Sequence, residues 1–200
     1  TAVGRAMREM GRQFVLGEDI AAAMRRAAEM EKQGYGYSYD IPGESARTTA
    51  DAERYRAAYA QAIEAIAKNA RSADPRENPG ISVKFSALHP RYEEAQRDRI
   101  MEELVPRVRG LARQAARANI GFNVDAEEAD RLSLSLDVIE AVADDPELAG
   151  WDGFGVVVQA YGQRAGAVLD WLYALADRLD RRFMVRLVKG AYWDTEIKLA

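Results

Sequence analysis

Two hydrophobic periods alternate along the 200-residue chain, and this alternation constrains the fold more than any other feature. Short apolar or alternating segments predict strands, and each is followed by a longer stretch whose apolar residues recur at helical spacing. The predicted strands are residues 35–41, 81–86, 120–125, 153–159 and 183–188. Strand–helix units repeated in this way predict a parallel sheet with helical crossover connections.

The predicted helices differ in how clearly their ends are marked. They occupy residues 5–33, 50–71, about 92–118, 132–143 and about 168–179. The first is expected to break near Gly17, and Pro106 predicts a kink or break in the third. Thr48 and Thr49 are candidate N-caps for the second helix, and Asp194 is a candidate cap for one more helix after the fifth strand.

Two architectures fit this pattern, an open doubly wound sheet and a closed eight-stranded βα barrel. Each unit takes roughly 30–45 residues, so a barrel of the usual ~250 residues or more would extend past residue 200. The chain therefore holds either about five of the eight units of a barrel or a complete five-stranded open sheet. It begins with Thr1 and not with Met, so we expect it to be a segment of a longer protein.

Composition excludes several classes of site. The chain has no cysteine, which excludes disulfide scaffolds, iron–sulfur clusters and thiolate zinc sites, and its single histidine, His89, excludes multi-histidine metal centres. The formal net charge of −4 argues against a general nucleic-acid binder, and no nucleic-acid contact is expected. The sequence contains no run of 18 apolar residues that would predict a membrane span.

Four predicted strands contain a valine followed by a polar residue. These polar residues are Lys84, Asp125, Gln159 and Arg186. A charge inside a covered sheet costs several kcal/mol unless it is paired, and three of the four lie near the carboxyl end of their strand, where parallel α/β proteins build their sites. The pattern predicts a binding site at that edge, although a purely structural salt-bridge network is an alternative.

The segment after the fifth strand has the composition of a ligand-binding loop. After Lys189, the small residues Gly190 and Ala191 would let a ligand approach the backbone, and Tyr192 and Trp193 would add flat apolar surface. The sequence lacks the glycine patterns of dinucleotide-binding folds and of phosphate-binding P-loops.

Three other interpretations remain open at this point. Lys84 or Lys189 could form a Schiff base in an aldolase-type barrel, if burial lowers its pKa. The acidic run of Asp125, Glu127, Glu128 and Asp130 could hold Mg²⁺. The chain could also be a non-enzymatic interaction module.

Six segments resemble the proline dehydrogenase family, in the form found in the bifunctional flavoenzymes of the proline utilization A type. They are residues 10–15, 39–44, 81–90, 123–130, 153–161 and 186–194, which together span nearly the whole chain. The resemblance implies a (βα)8 barrel that binds FAD at the carboxyl-terminal rim of its strands. We accordingly expect an N-terminal helical segment in residues 1–33 and the first five βα units in residues 34–200.

The resemblance also implies an activity and its partners. The family oxidises L-proline to Δ1-pyrroline-5-carboxylate by hydride transfer to flavin N5, and the reduced flavin passes electrons to membrane quinone. A covalently linked aldehyde dehydrogenase domain, a homo-oligomer, and a location in the cytoplasm or at the inner face of the membrane are expected with it.

Residue roles follow from the same resemblance. Lys84 would bind the proline carboxylate, Asp125 would be catalytic beside substrate and flavin, and Arg186 would stand next to N5. Gln159 would hydrogen-bond the ring edge, and Leu187 and Tyr192 would wall the proline ring. The full set expected to line FAD is Asp125, Ala126, Val157, Gln159, Arg186, Val188, Lys189, Gly190, Ala191, Tyr192 and Trp193.

Two expected elements of the site involve arginines that the printed sequence lacks. Glu44 would form a gating ion pair with an arginine beyond this chain. The family's pair of arginines that clamps the substrate carboxylate has no counterpart in these 200 residues.

Overall fold

Five parallel strands form one sheet in the computed structural model, which describes residues 16–17, 19–41 and 43–198. The strands are β1 (Ser38–Asp40), β2 (Gly80–Val83), β3 (Gly121–Val124), β4 (Phe154–Gln159) and β5 (Met184–Val188). Each strand pairs in parallel with the next one along the chain, so the spatial order is the sequence order. The predicted α/β class with a parallel sheet is confirmed.

The strand order distinguishes between the two predicted architectures. A doubly wound sheet reverses its strand order at a switch point. Here the order advances in one direction throughout, and right-handed crossovers that always advance place their helices on the same face of the sheet. This arrangement is the one expected of consecutive units of a βα barrel.

Seven α-helices connect or flank the strands in the part of the chain that the structure describes. They are α1 (Ile20–Glu31), α2 (Thr49–Ala67), α3 (Phe85–Leu88), α4 (Arg97–Arg117), α5 (Leu132–Ala143), α6 (Ala165–Leu179) and α7 (Trp193–Glu196). Thr48 caps α2 as predicted, because its hydroxyl accepts the Asp51 N–H while the Asp51 carboxylate accepts the Thr48 N–H. None of the helices in the described ranges is both long and apolar enough to cross a membrane.

Several predicted boundaries are wrong. α4 continues through Pro106, because that residue lies on the exposed face, where the carbonyl it leaves unpaired can bind water, while the buried face of the helix packs on the core. The strand predicted over residues 81–86 is shorter than expected: β2 ends at Val83, because the chain turns into α3 from Phe85 to Leu88. Asp194 lies inside α7, and the N-cap residue is Tyr192. Residues 5–15 of the first predicted helix, the 10–15 motif and Pro42 lie outside the described residues.

The two faces of the sheet differ in chemistry. Alternate strand residues such as Ile81, Phe122 and Val156 point toward the helices and form the apolar core with them. The opposite face is polar. There Ser38 Oγ lies 3.0 Å from Ser82 Oγ, and Asn123 Nδ2 donates to Ser38 Oγ across 3.3 Å. We call this polar face, which is turned away from the helices, the interior face, and the charged residues lie on it.

Candidate active site

Four charged side chains form a continuous row on the interior face, near the carboxyl ends of the strands. Lys84, directly after β2, donates to Asp40 on β1 (Nζ–Oδ2 2.8 Å) and to Asp125 after β3 (Nζ–Oδ2 3.0 Å). Arg186 on β5 donates to the other oxygen of Asp125 through Nη2 and to Ser82 Oγ through Nη1 (3.2 Å). We call Asp40, Lys84, Asp125 and Arg186 the charge ladder. The structure thus brings together three of the four polar strand residues singled out by sequence.

Burial and pairing decide the protonation of Lys84. Its side chain is 16% exposed and that of Asp125 is 13% exposed. Burial alone would lower the pKa of Lys84, but the hydrogen bonds and negative charges of Asp40 and Asp125 outweigh burial and raise the pKa above its ordinary value. Lys84 is therefore a fixed cation. A Schiff-base lysine needs a depressed pKa, so the geometry argues against that role for Lys84.

One nitrogen of the Arg186 guanidinium group, Nε, makes no hydrogen bond to the other ladder residues. This nitrogen is shielded from solvent and has no hydrogen-bond partner in the described part of the chain. Val157, which pairs with Arg186 in the register of β4 and β5, lies beside it on the same face. A buried donor without a partner is unusual in a folded protein and is satisfied when a ligand with an acceptor binds there.

Gln159 holds two neighbouring loops together. Its Nε2 donates to the Glu127 carbonyl (2.9 Å), and its Oε1 accepts the Ala191 N–H (2.9 Å). Gly190 has a φ of +123°, and a Cβ at this position would lie 1.8 Å from the ring of Tyr161. The segment from Val188 to Trp193 is therefore fixed against the end of β4, since Ala160 and Tyr161 also donate to the carbonyls of residues 188 and 189.

A cavity of about 470 Å³ lies at the same edge of the sheet, on the side of the helices, and among the described residues it shares only Asp125 with the ladder. It lies between the ends of β3 and β4 and helices α5, α6 and α7. The predicted site residues on its wall are Asp125, Ala126, Val157, Gln159 and Trp193. The volume is within the usual range for small-molecule and cofactor sites.

Helix α7 forms one wall of this cavity and is tied to two loops. Glu196 accepts the Ala129 N–H (2.8 Å) and the Tyr161 hydroxyl, and the rings of Tyr161 and Trp193 meet edge to face at 6.0 Å. Burial and the Glu196 hydrogen bond raise the pKa of Tyr161 to about 12, so the phenol is a donor at neutral pH. Trp193 remains 56% exposed and offers a flat apolar surface.

Some predicted site residues are not brought to the ladder. Leu187 follows Arg186 on β5, so its side chain points to the opposite face, where it is 60% exposed. Glu44 is exposed and forms no ion pair within residues 43–198 or the described segments before them. Tyr192 is half-buried, and burial first and then the charges of Glu127, Glu128 and Glu44 raise its pKa against the opposing charge of Lys84.

The acidic run does not form a cation site. Asp125 pairs with Lys84 and Arg186, Glu127 turns toward the backbone of α3, and Asp130 is exposed. Among the described residues no group of three or more acidic or histidine side chains is placed to hold a metal ion.

Sequence reasoning missed Asp40, Ser82, Glu127, Tyr161 and Glu196 as members or supports of this site. Asp40 could have been found, because it is a polar residue at the carboxyl end of a predicted strand, as Asp125 is. The partners of Tyr161 and Glu196 depend on three loops meeting, and no local pattern carries that information.

Comparison with known proteins agrees with the geometry. The family model described as proline dehydrogenase matches residues 23–200. The chain is 56% identical over 198 residues to the bifunctional protein PutA of Salmonella typhimurium and 57% identical to that of Rhizobium meliloti, covering 99% of this chain in both comparisons. It spans only 15% and 16% of the length of these relatives.

Solved structures show the same likeness. A crystal structure of the Bradyrhizobium japonicum proline utilization A mutant D779Y superposes on the whole chain with a TM-score of 0.87 at 58% identity, covering 20% of that protein. Proline utilization A from Bdellovibrio bacteriovorus, inactivated by N-propargylglycine, superposes on the whole chain with a TM-score of 0.91 at 27% identity, covering 22% of that protein.

Proposed function

Because the chain belongs to the proline dehydrogenase family, we propose that it is the FAD-binding, proline-oxidising part of a bifunctional enzyme. The reaction is oxidation of L-proline to Δ1-pyrroline-5-carboxylate, with electrons passed on to membrane quinone. We extend the proposal to a covalently linked aldehyde dehydrogenase domain, a homo-oligomeric assembly and a peripheral location at the inner face of the membrane. The observation that carries the proposal is the charge ladder lying beside a cofactor-sized cavity at one edge of the sheet.

Lys84 is assigned to the substrate carboxylate. An ammonium group has three N–H donors, and Lys84 gives one to Asp40 and one to Asp125. The third is available to an anion that enters from the interior face. A cation held in place by two carboxylates does not have to reorganise when the substrate binds, which favours a fixed substrate orientation.

Asp125 and Arg186 are assigned to the reacting end of the substrate. Asp125 accepts from Lys84 on one side and from Arg186 on the other, so its carboxylate is held in one orientation. Arg186 places a permanent positive charge beside Val157 on the interior face, where it would stabilise negative charge that develops on a neighbouring group. Tyr192, on the segment fixed against the end of β4, is assigned to the wall around the proline ring.

The residues fit a flavin by the chemistry of their donors. FAD, when bound, would supply the acceptor for the hydride that leaves the ring carbon beside the proline nitrogen. The unpartnered Nε of Arg186 offers a donor to the flavin, and exposed Trp193 offers a flat surface. The residues proposed to hold the cofactor are Asp125, Ala126, Val157, Gln159, Arg186, Val188, Lys189, Gly190, Ala191, Tyr192 and Trp193.

The proposal is tested with the protein at its natural length, loaded with FAD and supplied with a quinone. L-Proline should give a cyclic imine product, detected by mass spectrometry, and Lys84→Met should raise KM for proline by about tenfold or more, since it removes a charged hydrogen bond. Absence of product with FAD bound would contradict the proposal. Borohydride trapping of a carbonyl substrate on a lysine would instead support an aldolase-type reaction.

A further inference from the structure

A second set of hydrogen bonds runs around the carboxyl-terminal edge, outside the charge ladder. The Ala46 N–H donates to the Ser86 carbonyl (2.8 Å), and the Ser86 N–H donates to Glu127 Oε1 (3.0 Å). Gln159 then joins the Glu127 carbonyl to the Ala191 N–H. We call Ala46, Ser86, Glu127, Gln159 and Ala191 the loop belt. It links the chain segments at or after the carboxyl ends of all five strands.

Glu127 is the centre of the loop belt. Its side chain accepts from the segment after β2, and its carbonyl accepts from the end of β4. Its side chain is only 3% exposed, and the nearest cation is Arg131, with Nη1 3.5 Å from Oε2. Enclosing a carboxyl group in this way costs stability, and an apolar residue of similar volume would avoid that cost. The placement is therefore poorly explained by folding alone.

The positions of the bonded residues relate the loop belt to the ladder. Ser86 follows Lys84 by two residues, and Glu127 follows Asp125 by two residues. The bond between Ser86 and Glu127 therefore fixes the relative position of the two segments that carry the ladder's central pair. A shift of about 1 Å in such a pair is enough to reduce catalysis strongly.

We propose that Glu127 is a positioning residue that holds Lys84 and Asp125 in register by accepting the Ser86 N–H. It acts through these residues and makes no contact with substrate in this assignment. The inference rests on the proposed function, because the consequence of misplacing Lys84 is read in proline binding. Its structural part, the protection of the Ser86 amide, can be measured without any activity.

The test compares two near-isosteric variants in the protein at its natural length. Glu127→Met keeps the side-chain volume and removes the carboxyl acceptor, whereas Glu127→Gln keeps an acceptor and removes the charge. Glu127→Met should raise KM for L-proline roughly 10- to 100-fold with a smaller change in kcat, and hydrogen exchange of the Ser86 amide should accelerate. Glu127→Gln should restore KM to within about threefold of the parent and keep the Ser86 amide protected.

Asp145 supplies the matched control. It is also a buried carboxylate that accepts a backbone N–H, that of Glu147, but it lies at the opposite, amino-terminal edge of the sheet and pairs with Arg113. Asp145→Leu should lower the melting temperature and leave KM unchanged.

Three results would overturn the inference. The first is a Glu127→Met variant whose KM for L-proline is unchanged, including one that, like Asp145→Leu, loses only melting temperature. The second is failure of Glu127→Gln to restore KM and Ser86 protection, which is decisive even if Glu127→Met does not fold. The third is an unaltered Ser86 exchange rate in Glu127→Met. A parent protein that binds no FAD and oxidises no proline would refute the proposed function. The exchange measurement would still test whether Glu127 protects the Ser86 amide.

Discussion

The strongest quantitative prediction concerns the central pair of the charge ladder, Lys84 and Asp125. Removing one partner of a fully buried ion pair costs about 3–5 kcal/mol, because the other charge is left uncompensated. Here each residue keeps a second partner, Asp40 for Lys84 and Arg186 for Asp125. We therefore expect Lys84→Met and Asp125→Asn each to cost about 1–2 kcal/mol of local stability, with a coupling free energy of about 1 kcal/mol or more.

The matched control is an exposed ion pair in the same protein. Arg56 and Glu53 on α2 pair at helical spacing with side chains that are 39% and 56% exposed. Such pairs contribute little to stability and weaken as salt is added. The coupling free energy of Lys84 and Asp125 should be larger than that of this surface pair and should change less with salt, since both side chains are largely shielded from solvent.

Native-state hydrogen exchange measures both coupling energies, that of the ladder pair at the β2 and β3 amides and that of the surface pair at the α2 amides. It reports the local free energy of opening and does not require the whole protein to unfold in one step. A double-mutant cycle over Lys84 and Asp125, compared with one over Arg56 and Glu53 read at the α2 amides, gives the two coupling energies. A ladder coupling no larger than that of the surface pair would refute the reasoning.

Three further predictions concern single residues. Arg186→Lys should lower kcat for L-proline by about tenfold or more with little change in melting temperature. The reason is that a point charge cannot replace the planar guanidinium group that contacts Asp125 and Ser82. A variant that loses melting temperature in proportion to its loss of kcat would contradict this prediction. Burial raises the pKa of the Glu127 carboxyl above its ordinary value of 4.5, so its contribution to stability is present below that pH and is lost as pH rises through the raised value. Glu127→Gln should therefore have a higher melting temperature than the parent at about pH 8, and the difference should shrink toward pH 4.5. A difference in melting temperature that does not change with pH would contradict this prediction. Gly190→Ala should weaken FAD binding in a titration of the apoprotein, because a Cβ would enter the Tyr161 ring, whereas Gly166→Ala, which meets no atom within 4 Å, should leave it unchanged.

The sequence was most informative where one local pattern was consistent over many residues. The apolar run of β4 and the spacing of α5 identified those elements correctly, even though residues 132–136 alternate like a strand. Lys84, Asp125 and Arg186 could be selected because a charge in a covered strand is costly, which makes its position informative. Their mutual contacts then followed from the parallel arrangement of the strands.

Other features depend on contacts between distant segments and could not be predicted. Asp40 reaches Lys84 because of the register that pairs it with Ser82. Glu127 looks like an ordinary charged residue at a helix start until the fold encloses it. The hydrogen bonds from the Gln159 amide to the backbone of two loops were not predicted, because they depend on those loops meeting. The predicted break at Pro106 is wrong because a proline on the exposed face of a helix need not end it, and the face that Pro106 occupies is known only from the fold.

The role of Leu187 beside the proline ring stays a prediction that rests on the resemblance. The segment that contains it matches the family pattern, and strand alternation nevertheless places its side chain on the face opposite Arg186.

The visible absorption spectrum of the FAD-loaded protein tests the central claim most directly. We expect the natural-length protein to bind FAD, to be yellow, and to lose its flavin absorption when L-proline is added without oxygen. Lys84→Met should need a higher proline concentration for the same bleaching. A protein that stays colourless after incubation with FAD, or a bound flavin whose absorption is unchanged at saturating proline, would contradict the claim that the ladder and cavity form a proline-oxidising flavin site.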